Sequence, residues 1–187
     1  MGFYNEGGGG GAAVWGAITG TLSDQTDLQT AINTVQGKIG NWIVLEDQKA
    51  VNTSGGAFYS GAWRTRDLNT KVSDPNNNCV LSSNQFTLTA GNYGLLLASA
   101  PVYLVNRHQT RLLAAGSPVK MGSSGYANSS DNGSDRSHLQ YFVGTLANDT
   151  TFRVEHICQI TKTINGLGVS SVWGTGVFTQ VIIEDLN

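Results

Sequence analysis

The stretch "NQFTLTAGNYGLLLASAPVYLV", residues 84–105, decides the fold class of this chain. Its apolar residues alternate with polar or small ones, the alternation stops at Ala90-Gly91, and it then resumes. Apolar residues at every second position predict a strand with one buried face, and glycine between two such runs predicts a turn. The stretch therefore predicts two strands. The residues expected to share a face are Phe86 and Leu88 before the turn and Tyr93, Leu95 and Leu97 after it.

The same period-two pattern recurs from residue 41 to the end of the chain. About eight or more such strands, with no helix among them, are typical of an antiparallel sandwich. The sequence therefore predicts an all-β head over residues 41–187. The further strand segments are "NWIVLEDQKA" (41–50), a hairpin-like pair in "GGAFYSGAWRTRDLN" (55–69), "RHQTRLLAA" (107–115), "SHLQYFVGTLA" (137–147), "TFRVEHICQITK" (151–162) and "GVFTQVIIEDL" (176–186).

Two polar stretches interrupt the strands and are the candidate binding loops. Residues 116–136 are rich in Gly, Ser, Asn and Asp, which predicts a long exposed loop with at most a short strand near 120–126. A second polar stretch covers 69–78. Loops on a rigid scaffold often carry binding residues, and plain connectors are the alternative. The candidate receptor-binding residues are Tyr126, Asn128, Asp131, Asn132, Asp135 and Arg136 in the first loop and Asn76 and Asn77 in the second.

The N-terminal part has a different pattern from the head. Residues 1–11 end in five glycines and predict a flexible linker behind a short anchoring peptide, and residues 12–40 contain a helix that begins near residue 24. Its apolar residues are spaced 4, 3 and 4 apart, which favours a coiled-coil neck of identical copies over a surface helix packed on the head. The neck residues are Leu28, Ala31, Ile32, Val35 and Ile39, and the candidate anchoring residues are Phe3, Tyr4, Trp15 and Ile18.

Bulk composition excludes some partners. A net charge of −2 and a pI near 5.8, with dispersed basic residues, argue against nucleic-acid binding. No run approaches the roughly 20 apolar residues that a membrane span requires, and no signal peptide is expected. The two cysteines, Cys79 and Cys158, match no metal-ligand spacing. Two free buried thiols are favoured, and one disulfide between them is the alternative.

Residues with catalytic or metal-binding chemistry form no recognisable motif. The three histidines show no zinc-ligand spacing, and no Gly-x-Ser-x-Gly elbow occurs. We therefore expect no enzyme activity, no cofactor and no metal. Three alternatives stay open: a calcium ion on the oxygen-rich segment 129–135, a glycosidase carboxylate pair, and a sugar-stacking platform. The carboxylates are Glu46, Asp131, Asp135 and Glu155, and the aromatic residues are Trp42, Phe58, Tyr59 and Trp63.

Several motifs resemble a known family. "WGAITGTLSDQTDLQTAIN" (15–33) resembles a segment of bacteriophage tail-fibre and other virion proteins. "GAWRTRDLNT" (61–70), "NQFTLTAGNY" (84–93) and "NRHQTRL" (106–112) look like the C-terminal domain of phage tail or head fibres, across nearly all of the head. That domain is similar in layout to the tumour-necrosis-factor and complement-head superfamily.

The resemblance implies a ten-strand jelly roll that forms a compact trimer. It implies core positions for Phe86, Leu88, Gly91 and Tyr93, and an axis lined by strand residues, for which His156, Cys158 and Tyr103 are candidates. On this basis we expect a homotrimeric virion protein, anchored through its N-terminus to a capsid or tail protein, whose head binds a host surface glycan or protein. A purely structural capsid or tail decoration protein is the alternative, and a glycan-cleaving enzyme is the third hypothesis.

Overall fold

The computed structural model describes residues 41–187, together with Thr30 and Ile32. Thr30 and Ile32 have helical backbone conformation, and the Ile32 side chain is half-buried. The domain limits at residues 11 and 40 stay predictions. The remaining neck and anchor residues lie outside the described part of the chain: Leu28, Ala31, Val35, Ile39, Phe3, Tyr4, Trp15 and Ile18.

Eleven strands are described within residues 41–187, and no described helix is long and apolar enough to cross a membrane. All strand pairs are antiparallel. The strands are β1 (Asn41–Lys49), β2 (Arg64–Thr65), β3 (Thr70–Ser73), β4 (Cys79–Ser82), β5 (Gln85–Leu88), β6 (Gly91–Tyr103), β7 (Asn106–Ala114), β8 (Ser117–Ala127), β9 (Ser134–Leu146), β10 (Thr150–Cys158) and β11 (Gly176–Asp185).

The strands form two sheets. One has five strands in the order β3-β1-β11-β6-β9; the other has the order β4-β5-β10-β7-β8, with β2 paired to β10. The chain crosses between the sheets after every strand except β4 and β7, which are each followed by a strand of the same sheet, so most sequence neighbours lie in opposite sheets. Such crossovers between two antiparallel sheets define a jelly roll. The predicted all-β sandwich is confirmed.

The opening stretch supplies β5 to one sheet and β6 to the other, as its two runs predict. Phe86 and Leu88 of β5 are fully buried, and Tyr93 of β6 is 1% exposed. Phe86 stacks on Phe152 of β10, with 5.5 Å between the ring centroids. These residues form the main apolar core, so three of the four implied core positions are confirmed, and Gly91 is the first residue of β6.

A β-bulge changes the face that later residues of β6 occupy. Between its pairings with Ile183 and Asp185 of β11, β6 has one residue more than its partner. An extra residue reverses the alternation of a strand. Tyr93 therefore lies between the sheets, whereas Leu95 and Leu97 are half-buried on the outer face. The prediction that these three share one face is wrong.

Two of the predicted segments differ from the structure. The hairpin expected in 55–69 is a loop that contains β2 and a single bridge from Phe58 to Lys162. The long loop expected at 116–136 is mostly strand, because β8 pairs with β7 and β9 pairs with β6. Only 128–133 connects the two strands. β8 is an edge strand with mostly exposed residues, so backbone pairing holds it and no apolar period marks it.

The strand registers define two ends of the sandwich. Asn41 pairs with Asp185 at one end, while Tyr103 pairs with Ser134 at the other. We call them the proximal end and the distal end. The proximal end contains the start of β1, the turn 74–78, the loop 147–149 and the C-terminal residue Asn187; the distal end contains the segments 50–63, 128–133 and 159–175.

Candidate functional site

The outer face of the five-stranded sheet exposes a group of apolar side chains, with Glu184 between Trp42 and Leu95. Val44, Ile182 and Leu97 lie side by side on β1, β11 and β6. In the next row Leu95 lies opposite Phe142, whose side chain is 70% exposed. Soluble monomers rarely expose large contiguous apolar patches. This surface, which we call the apolar face, comprises Trp42, Val44, Leu95, Leu97, Phe142 and Ile182.

A polar row separates the apolar face from the distal end. Gln180 lies opposite Ser99, and Ser99 lies opposite His138. The Gln180 amide donates to Glu46 Oε1 over 2.7 Å, and the Gln48 amide donates to Glu46 Oε2 over 2.7 Å. Glu46, a candidate carboxylate for glycan cleavage, is thus engaged in side-chain hydrogen bonds within its own sheet.

The outer face of the other sheet carries a central cluster of charged side chains, with exposed Val80 and Met121 on its two edge strands. Glu155 accepts from Arg111, with 2.6 Å from Nη2 to Oε2, and from Arg153, with 2.8 Å from Nε to Oε1. The Arg111 guanidinium also lies 4.3 Å above the ring of Trp63. Glu46 and Glu155 face outward from opposite sheets, so the structure does not bring these two candidate carboxylates together. The apolar residues of the five-stranded sheet lie on adjacent strands, whereas Val80 and Met121 lie on opposite edges of the other sheet, so the five-stranded sheet is the candidate association surface.

The predicted receptor-binding residues lie at opposite ends of the head. Asn76 is at the proximal end, where its amide donates to Asp185 Oδ2 over 3.1 Å and to the Asn187 carbonyl over 3.2 Å. Asn77 is exposed in the same turn. The other six residues are at the distal end, so the structure does not form one surface from the two groups. They are Tyr126 in β8, Asn128, Asp131 and Asn132 in the loop, and Asp135 and Arg136 in β9.

Within the distal group the residues have different surroundings. Tyr126 is 57% exposed, and Asp131 and Arg136 are also exposed. Asn132 Oδ1 accepts a hydrogen bond from Tyr103 Oη over 2.8 Å. The exposed side chains are available to a partner, whereas Asn132 also orders the loop.

A layer of polar side chains lies between the sheets, distal to the main core. Along β10, Val154 belongs to the main core, His156 to the polar layer, and Cys158 to a smaller apolar cluster beyond it. Cys158 is 5% exposed and His156 is fully buried, so neither lines an axis between subunits as the resemblance implied. The layer comprises Arg66, His108, Thr110, Ser137, His156 and Thr179, all less than 4% exposed.

The two layer histidines form a chain of hydrogen bonds with Asp135. His108 Nε2 lies 3.2 Å from Asp135 Oδ2, and His108 Nδ1 lies 3.1 Å from His156 Nε2. An ionised Asp135 accepts from His108 Nε2, so neutral His108 accepts from His156 at Nδ1. Burial alone would raise the pKa of Asp135. Hydrogen bonds from the Arg136 and Tyr126 amides and from His108 stabilise its carboxylate more strongly, so the pKa of Asp135 is lowered.

Neutral histidines are favoured in this layer. Burial lowers the pKa of His108, although the facing Asp135 carboxylate opposes the shift. Burial lowers the pKa of His156 well below its usual value, and the positive charges of Arg66 and protonated His108 lower it further. His108 and His156 are therefore hydrogen-bonded side chains of the paired strands β7 and β10.

Acid is expected to destabilise the head, because the layer histidines must be neutral when folded. In the unfolded chain both histidines titrate near a pKa of about 6.5. Their folded pKa values are lower, so stability is complete above about pH 6.5 and is lost as the pH falls towards the folded values. Urea unfolding at several pH values measures this loss. The variant His156→Phe should weaken the pH dependence, while exposed His138→Gln should keep it; a pH-independent midpoint contradicts the expectation.

Arg66 is a buried member of this layer that its local sequence does not predict. Its motif "WRTRDL" has the alternation of an exposed strand, yet the Arg66 side chain is 1% exposed. Its Nε donates to Thr179 Oγ1 over 2.9 Å and its Nη2 donates to the Leu167 carbonyl over 3.1 Å. Burial lowers the pKa of Arg66 to about 10, so the guanidinium stays charged at neutral pH. Nothing in the local sequence separates this arginine from its exposed neighbour Arg64.

The cysteines, the metal-site alternative and the aromatic residues can also be compared with the structure. Cys79 and Cys158 are free and buried, as favoured, and burial raises the pKa of the first thiol to about 12 and of the second to about 11. No group of three His, Cys, Asp or Glu residues suited to a metal ion occurs within the described part of the chain. Among the aromatic residues, Phe58 is buried in the core, whereas Tyr59 is 51% exposed.

The strand order, the antiparallel register and the crossovers define the class of this protein: a jelly-roll sandwich. No protein-family model matches the chain, and no curated protein matches it at a significant level.

Solved structures are similar in fold at low identity. The globular domain of zebrafish complement 1qA protein has a TM-score of 0.49 and 16% identity, over 79% of this chain and 98% of that one. Murine APRIL at pH 5.0 has a TM-score of 0.47 and 8% identity, over 78% and 98%. PRD1 vertex protein P5 has a TM-score of 0.46 and 13% identity, over 78% and 97%. The assignment of the fold rests on the strands of this chain, and no function follows from these likenesses.

Proposed function

We propose that this chain is a bacteriophage virion protein, a fibre or spike whose heads associate as a homotrimer and bind the host surface. The observation that carries the proposal is the apolar face on the five-stranded sheet, whereas the centre of the other sheet carries the ion pairs of Glu155 with Arg111 and Arg153. Water around exposed apolar side chains is unfavourable, and contact with identical faces removes it. The family that the sequence resembles forms trimers, and the predicted neck has a coiled-coil seam, so we take three as the number of copies.

The two ends of the head receive different roles in this proposal. β1, the first strand of the head, begins at Asn41 on the proximal end. The distal segments 128–133 and 159–175 then contact the host, while the N-terminal anchor binds a capsid or tail protein. Asn76 and Asn77 lie at the proximal end and are not host contacts in this arrangement. The role is one of binding, without catalysis, and its location is the virion.

Competition for host cells tests the proposal. Purified protein is expected to bind host cells and to block phage adsorption. The double variant Tyr126→Ala with Asp131→Ala removes exposed distal side chains and should weaken both effects. Asn148→Ala removes an exposed side chain at the proximal end and is the matched control.

Other outcomes support the alternatives. If wild-type protein neither binds cells nor blocks adsorption, and virions without it lose stability, the protein is a decoration protein and the receptor role is wrong. Turnover of host capsular polysaccharide by the purified chain would instead support a glycan-cleaving enzyme.

A further inference from the structure

A groove runs along the distal edge of the five-stranded sheet. Two adjoining depressions, of about 490 and 330 Å³, share Pro101, Arg136, Gly168 and Val169 in their walls. Pro101 of β6 pairs with Arg136 of β9, two residues beyond the Ser99–His138 pair that ends the polar row. Together the depressions fall in the usual size range of ligand sites, about 300–1,000 Å³. We call this surface the distal groove.

One wall of the distal groove presents an almost fully exposed indole. Trp173 is 95% exposed, and its neighbour Val172 is 59% exposed. The loop behind it is tied to the segment before β2: the Asn52 amide donates to the Ser171 carbonyl over 2.8 Å, and the Gly55 amide donates to the Gly168 carbonyl over 3.0 Å. The backbone is therefore held by hydrogen bonds while the Trp173 ring faces solvent. A flat aromatic surface of this kind suits the apolar face of a sugar ring.

The groove also has a guanidinium without a carboxylate partner. Arg136 is exposed, and its Nη1 donates to Ser99 Oγ over 3.4 Å. No ion pair of residues 41–187 includes Arg136, whereas Arg111 and Arg153 on the opposite face both bind Glu155. A free arginine fork binds a planar carboxylate through two parallel hydrogen bonds.

The nearest acidic side chain in the groove does not compete for Arg136. Asp135 Oδ2 faces His108 Nε2 and accepts from the Tyr126 amide over 2.9 Å, and Asp135 Oδ1 accepts from the Arg136 amide over 2.7 Å. Both of its oxygens are thus engaged with protein donors. Hydroxyl groups line the same walls and suit the hydroxyls of a sugar: Ser134, Ser170, Ser171 and Thr175.

We propose that the distal groove binds an acidic glycan, with a sugar carboxylate on Arg136 and a sugar ring stacked on Trp173. This proposal rests on the host-binding function and specifies its ligand class. Charge complementarity selects a carboxylate-bearing polysaccharide over a neutral one, and the aromatic wall selects a sugar over a simple anion. Host-surface uronic or sialic acid polymers supply that chemistry.

Binding of defined sugars tests the groove. The probes are oligogalacturonate and oligosialic acid, each beside its carboxyl-reduced neutral form, measured against the full-length protein by calorimetry. At least one acidic probe is expected to bind, and its neutral form at least about tenfold more weakly. Trp173→Ala and Arg136→Gln should each lower affinity for the acidic probe about tenfold or more, and Arg136→Gln should abolish the preference for the acidic form. Arg107→Gln, an exposed arginine on the other sheet, is the matched control.

Specific results overturn the proposal. They are equal binding of acidic and neutral probes, no binding of either acid, or stronger binding to vesicles of anionic phospholipid than to the sugars. The phage-adsorption assay distinguishes failure of the groove proposal from failure of the proposed host-binding function. If wild-type protein blocks adsorption and both groove variants block it equally well, the groove is wrong and the host-binding role stands. If wild-type protein does not block adsorption, the host-binding role itself is wrong.

Discussion

The double variant Leu97→Asp with Ile182→Asp is expected to be a monomer at micromolar concentration, where we expect the wild type to be a trimer. The two side chains are direct cross-strand neighbours in the middle of the apolar face. A carboxylate buried without a partner costs several kcal/mol, and a trimer would bury two per subunit. The association constant should therefore fall by about three orders of magnitude or more. Sedimentation velocity of the purified chain measures the change.

A matched charge change on the other sheet is the control for this experiment. Val80→Asp with Thr151→Asp adds the same charge to exposed positions of the six-stranded sheet. This variant should stay trimeric, because the substituted face is solvated in the proposed assembly. A wild-type monomer at micromolar concentration, or a trimer of the Leu97 and Ile182 variant, would show that the apolar face does not join the heads.

The second large effect is expected from Arg66→Ala, which should lower the free energy of unfolding by about 3–5 kcal/mol. Truncation leaves a cavity between the sheets and removes the hydrogen-bond donors of the Thr179 hydroxyl and the Leu167 carbonyl. The Thr179 hydroxyl is fully buried, so water does not replace its lost hydrogen bond without further opening. Urea unfolding at about pH 8, where the layer histidines are neutral, isolates this loss from the acid effect.

Arg66→Met distinguishes the two causes of the loss. Methionine fills much of the same volume and restores neither hydrogen bond, so we expect it to regain only part of the stability. Arg64→Ala, at an exposed residue of the same segment, should change stability by less than about 0.5 kcal/mol. If Arg66→Met is as stable as the wild type, the buried charge and its hydrogen bonds contribute no net stability, as is known for some buried ionic groups.

The strands that alternate clearly could be predicted from the sequence. Phe86, Leu88 and Phe152 each sit in a local period-two pattern, and burial of one face is what such a pattern encodes. β8 could not be predicted in this way, because it is an edge strand with solvent around most of its side chains. Its backbone hydrogen bonds to β7 depend on a partner strand and leave no trace in its own composition.

For the candidate site residues too, the local sequence predicted some properties and the tertiary structure decided the others. Asn76 and Asp131 have the composition of exposed turns, and both are exposed, but their separation by the length of the head depends on strand register. Arg66 has a polar local sequence and a buried side chain. Its backbone amide donates to Val154 of β10, and its side chain donates to Thr179 of β11. Tryptophan is usually at least partly buried, yet Trp173 is exposed. Backbone hydrogen bonds from Asn52 and Gly55 fix the loop that presents it to solvent.

By itself the sequence determined the fold class, because alternation and glycine turns are local properties of a chain. It also determined the core residues of β5, Phe86 and Leu88. Only the tertiary structure decided which face Leu95 and Leu97 occupy, since one extra residue opposite β11 reverses the alternation. It alone placed Arg136 and Trp173 in the walls of one groove, because that groove depends on segments 37 residues apart meeting at the distal end. Such contacts arise from packing between distant parts of the chain, which no local pattern specifies.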